Sequence, residues 1–143
     1  SIMHVGGIVG RPLLGWISDK ILPAVPLLSL VGFAIFLCGL ALSALSADWP
    51  YLLLCALSFV AGVVAAGWNG VYISEIARVM PSADVGLATG GVSAFTFLGV
   101  VIGPAAFTTI VGFSGSYSIA FLVVGAVAIG PAVILLLQYF NQK

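Results

Sequence analysis

The sequence predicts an all-α integral membrane protein, a multi-pass helical bundle with four full transmembrane helices and one truncated helix. Three observations carry this. Hydrophobic residues fill 62% of the 143 positions and charged residues only 6%, with a mean hydropathy of +1.31, whereas ordinary soluble domains are about 25% charged. Apolar runs recur at about the 20 residues that a helix needs to cross a hydrocarbon core of roughly 30 Å. The runs also lack the strict alternation of polar and apolar residues that barrel strands show. With no water in the core to satisfy free backbone groups, such runs must be helical.

The expected elements follow in order. Residues 1–17 form an incomplete helix, slightly short for a span. Residues 26–46, 50–74, 85–111 and 117–139 form full spans. The connections read WISDKILPAV, SADWP, EIARVMPSAD and GFSGS. Asp48 before Pro50, Ser82 and Asp84 before Gly86, and Ser114 or Ser116 before Tyr117 are helix-start residues. Pro23 and Pro26 stiffen the first loop, and Pro81 stops the helix that carries Arg78. The amino terminus is no signal peptide, since the apolar run continues into WISDK without a small-residue cleavage site. It begins inside a helix, and a fragment of a longer chain is expected.

Several function classes are excluded. A net charge of zero with four Lys/Arg leaves no basic patch for nucleic acid. Cys38 and Cys55 lie in separate apolar runs and read as free packing residues. One histidine and no acidic pair inside an apolar run call for no metal, no cofactor and no enzyme. His4 reads as structural. GFSG at 112–115 matches the GxSG nucleophile of rhomboid intramembrane proteases, but no histidine follows Ser114 to serve as base. Ser114 is therefore a turn or cap residue.

Lys20, Arg78 and Lys143 fall at ends of the path on one side, with Arg11 nearest that side. The SADWP and GFSGS loops carry no Lys or Arg. The positive-inside rule puts ISDK, EIAR and the carboxyl terminus in the cytoplasm of a cell membrane, expected to be a bacterial inner membrane. Glycines are patterned: Gly6 and Gly10, Gly86 and Gly90, and Gly99 and Gly103 are each four apart. Ala61, Gly62, Ala65, Ala66 and Gly67 form a further small-residue stripe. Such faces allow close helix approach, static or sliding.

The few charges carry the functional reading. Eight residues at 1.5 Å rise place Arg11 about 12 Å from Asp19 at the helix end. An arginine at that depth costs about 2.5–3.5 kcal/mol and should face protein or a water-filled cavity. Pro12 removes a backbone donor and loosens the helix beside the guanidinium, whose planar fork suits a carboxylate or phosphate. Arg11 is thus a candidate substrate-binding residue; a structural pair, for instance with Glu75, is the alternative. Asn69, a polar residue in AAGWNGVY, is the second candidate. Glu75 and Arg78, three apart on one helix face, and Asp19 at the end of another helix form a candidate cytoplasmic latch; plain surface pairing is its alternative. Trp68 is an interfacial or packing aromatic. Gly103–Pro104 predicts a kink midway along its helix.

GRPLLGWISDK resembles the signature that follows the second and eighth helices of the major facilitator superfamily, with Gly15, Asp19 and Lys20 fitting it. GWNGVYISEIARVMP, GLATGG, FLGVVIGPAAF and GSY, in that order, resemble helices ten to twelve. The resemblance implies helices eight to twelve, the carboxyl-terminal half of a transporter. Helices two to six are the other placement, because the halves are internal repeats. It also implies secondary transport by alternating access, with a latch of Asp19, Glu75 and Arg78 closed in the outward-open state. Arg11–Pro12 is similar to the Arg–Pro of helix eight in monocarboxylate transporters, where the Arg meets the substrate carboxylate. Those carriers have Asp four residues earlier, where this chain has Gly7. The expected partners are the lipid bilayer, the missing amino-terminal half, a small solute such as an organic anion, and a coupling ion or exchanged solute. A structural or assembly subunit and an intramembrane enzyme, both without transport, are the rival readings.

Overall fold

The computed structural model describes residues 1–46 and 48–141. Lys143, one of the residues used for orientation, lies outside them. The described residues contain helices α1 Ile2–Lys20, α2 Ala24–Ser43, α3 Tyr51–Val79, α4 Val85–Ser114, α5 Tyr117–Val127 and α6 Ile129–Asn141, and no strand. Counting α5 and α6 together as Tyr117–Asn141, four spans are long and apolar enough to cross a membrane, with mean hydropathies of 1.9 to 2.7. The expected fold class is found.

The helix ends are set by proline more than by polarity. Helix α1 runs on to Lys20 and α3 to Val79, beyond the expected ends at 17 and 74, so Asp19, Glu75 and Arg78 are all helical. Adding a residue to an existing helix gains one hydrogen bond for one residue fixed, and polar residues join readily. Extension stops where a proline ring crowds the preceding residue out of helical space. Met80, just before Pro81, is extended at φ −91° and ψ 147°. Pro50, Asp84 and Ser116 occupy the N-cap positions of α3, α4 and α5, but none makes a side-chain capping bond. Helix α4 ends on Gly115 at φ 65°, a left-handed geometry that glycine alone adopts without a Cβ penalty. Ser114 Oγ donates to Ile110 O at 2.7 Å beside it, as fits a turn residue.

Two seams hold the bundle. Helix α1 lies chiefly against α3, while α2 packs on α5, α6 and α3. In the first seam Gly6, Gly7 and Gly10 face Gly62, Ala66 and Gly67. A Cβ on Gly10 would lie 2.7 Å from Val63 O, and one on Gly67 would lie 2.6 Å from Leu14 Cδ1. In the second, a Cβ on Gly39 would lie 2.9 Å from Gly125 Cα, and one on Gly32 would lie 2.7 Å from Ala132 Cβ. The largest buried cluster joins α1, α2 and α3 through Leu14, Leu27, Val31, Val64 and Val71. Cys38 is buried within it and Cys55 is half-buried, both as free thiols.

Helix α4 stands apart. It touches α5 and, more lightly, α3, and none of its residues is buried. Positions Gly86, Gly90, Gly99 and Gly103 have nothing within 4 Å of a built Cβ.

The tetrapeptide IGPA occurs at 102–105 and again at 129–132. Helix α4 continues without interruption through Gly103 and Pro104, whereas the last span breaks at Ala128, between α5 and α6. Pro131 cannot donate to Val127 O, and its ring crowds that carbonyl. The break persists where α6 is held to α2: Ser29, 1% exposed, donates its hydroxyl to Ala132 O at 2.7 Å.

Candidate functional site

A cavity of about 320 Å³ opens between α1, α3 and α4. Arg11 of α1 and Asn69 of α3, 58 positions apart in the chain, both line it. Tyr72 lies beside Asn69 on the same helix, and Thr89, Ser93 and Thr96 of α4 form the opposite wall. Ile73, Phe97 and Val100 supply apolar surface. Helix geometry explains the grouping, since residues 69, 72, 73 and 76 share one face of α3 and 89, 93, 96 and 100 share one face of α4. Small residues bring α1 and α3 close enough to present Arg11 and Asn69 together.

Among the described residues, Arg11 is exposed into this space and makes no ion pair or hydrogen bond, and Asn69, half-buried, makes none either. The structural pair expected as an alternative, Arg11 with Glu75, is not formed: Glu75 Oε2 lies 2.8 Å from Arg78 Nη2. No fully buried side-chain nitrogen or oxygen in the described residues lacks a partner. The unengaged polar groups of the cavity are therefore reachable from its opening, the condition under which an arginine at the depth expected from the sequence is tolerated. Pro12 follows Arg11 inside an unbroken α1 and leaves Ile8 O without its usual helical donor.

The residue types set which chemical groups the cavity could hold. Five fixed guanidinium donors suit a carboxylate or phosphate, two oxygens at a time. The volume lies at the small end of ligand pockets, roughly 300–1,000 Å³. No group of three or more His, Cys, Asp or Glu side chains among the described residues is placed to hold a metal ion.

Residues 1–142 match the family model described as Major Facilitator Superfamily. The chain belongs to the Major Facilitator Superfamily. No curated protein and no solved structure matches it. Superfamily members are secondary transporters embedded in a lipid bilayer and binding a small solute, and this chain, with four membrane-capable spans, is a multi-pass transport protein.

At one end of this superfamily bundle the latch candidates converge in part. The Glu75–Arg78 ion pair is internal to α3, with Arg78 69% exposed. Asp19 lines a recess with Arg78 but makes no direct bond to it. Trp68 packs edge-on against Tyr72 at 6.3 Å and donates to Ala65 O at 3.0 Å, the packing role expected. Tyr72, Thr89, Ser93 and Thr96 were not candidates on sequence grounds. The signal of the last three was present as hydroxyls at i, i+4 and i+7 in GLATGGVSAFTF. It is weak, because hydroxyls in membrane helices commonly bond their own backbone.

Proposed function

We propose that this superfamily chain is the carboxyl-terminal half of a transporter, helices eight to twelve. In this reading it carries a small organic anion by alternating access, coupled to an ion or by exchange. The single observation behind it is the meeting of Arg11 and Asn69, neither engaged by another protein group, across one small cavity. The guanidinium holds the anionic group and Asn69 orients the solute. The open face of α4, with no buried residue, meets the amino-terminal half, which completes the site. Asp19, Glu75 and Arg78 form the cytoplasmic latch, in a cell membrane with the carboxyl terminus inside. Pro12, Gly103 and Pro104 are the helix positions that yield during the cycle, since each proline leaves one carbonyl without a helical donor.

The test is uptake by the full-length protein in proteoliposomes. Arg11→Gln is expected to abolish uptake while membrane insertion stays normal, and Arg11→Lys to retain a fraction, because a point charge lacks the fork. Full uptake by Arg11→Gln removes Arg11 from the mechanism.

A further inference from the structure

Two hydroxyls on the α4 wall of the cavity are opposite in hydrogen-bonding sense to the Arg11 guanidinium, while Ser93 between them makes no bond among the described residues and keeps its proton. On α4, Thr89 Oγ1 donates to Val85 O at 2.7 Å and Thr96 Oγ1 donates to Val92 O at 3.0 Å. A carbonyl cannot donate, so the direction of these bonds is fixed. A hydroxyl has one proton, and once it is given to the helix backbone only acceptor lone pairs face the cavity. Opposite them, the Arg11 guanidinium has donors and no acceptor. The cavity thus offers a donor surface from α1 and two acceptor-only hydroxyls from α4.

We propose that Thr89 and Thr96 are specificity-determining residues that accept a hydrogen bond from the solute, so that the preferred cargo is a hydroxy-carboxylate rather than a plain carboxylate of the same size. The proposal rests on the cavity being the solute site. A solute without a donor displaces water from these lone pairs and leaves them unmatched, and unmet polar groups carry a cost. An ammonium donor fits less well than a hydroxyl, because no Asp or Glu lines the cavity and its one formal charge is the positive Arg11. Thr108 and Thr109 make the same backbone bonds further along α4 but lie outside this cavity. Backbone bonding is thus ordinary for these threonines, and position on the wall is what gives Thr89 and Thr96 their role.

Uptake of radiolabelled butyrate, 3-hydroxybutyrate, 3-methoxybutyrate and 3-aminobutyrate into proteoliposomes holding the full-length protein tests this. The hydroxy acid is expected to be preferred about five- to tenfold over butyrate, with the methoxy and amino acids no better than butyrate. Thr89→Val with Thr96→Val should bring that preference below about twofold. Thr89→Ser with Thr96→Ser should restore it, and Thr108→Val should leave it unchanged. Equal uptake of butyrate and 3-hydroxybutyrate, or a preference that survives the valine pair, overturns the proposal. A preference for the amino acid overturns the choice of hydroxyl. No uptake of any of these acids, or uptake indifferent to Arg11→Gln, overturns the cavity reading and this inference with it.

Discussion

Gly10 and Gly99 are written alike, each one end of a G-x-x-x-G pair, yet their surroundings are opposite. A Cβ at Gly10 would press on the Val63 backbone, 2.7 Å from its carbonyl oxygen, while one at Gly99 meets nothing within 4 Å. Gly10→Ala is therefore expected to destabilise the protein by about 1–3 kcal/mol, the usual cost of overpacking. Gly99→Ala should leave it unchanged or slightly more stable, since alanine is the better helix former. Thermal unfolding of the two variants in the same detergent checks the contrast; matching losses would show that the α1–α3 seam is not close-packed. At this scale the sequence is uneven evidence. Arg11 stands out because a charge in an apolar run is costly wherever it lies. Thr89 and Thr96 do not, because their meaning depends on the wall they line.

The element scale turns on the repeated IGPA. Both copies carry the same local conflict, a proline without a donor inside a long helix, and the sequence argues for a kink at Gly103–Pro104 as strongly as anywhere. The helix break nevertheless falls beside the second copy, where tertiary contacts hold α6: Gly32 and Ala132 are in close approach, and Ser29 bonds Ala132 O. The first copy sits on α4, which has no buried residue. Removing the hydroxyl with Ser29→Ala is expected to cost about 0.6 kcal/mol, and at most about 1.7, the range for interhelical hydrogen bonds in membranes. Reversible unfolding in bicelles measures it, and no loss at all would mean that packing alone fixes α6 on α2.

For the whole molecule, Asp19 and Lys20 of α1 and Arg78 of α3 come from helices distant in sequence and share one recess. Surface pairs of this kind stabilise little, so the proposed role is conformational. Asp19→Arg and Arg78→Asp should each lose transport, and the double exchange should recover much of it. If the double variant is as inactive as either single one, the two residues are not partners. The internal Glu75–Arg78 bridge qualifies the latch: Arg78 is held by its own helix, and Asp19 shares its recess without a bond to it.

The sequence by itself determined the solvent and the element type. Apolar excess and run length are sums along the chain, and a backbone in oil has helices as its only open-ended solution. It also marked Arg11, Asn69, Asp19, Glu75 and Arg78, because polar side chains are scarce enough here to be noticed singly. Tertiary structure alone decided which glycines close a seam, which IGPA coincides with a break and which hydroxyls face the guanidinium. Each of those depends on groups from separate helices arriving within a few ångströms, and no local pattern encodes that distance.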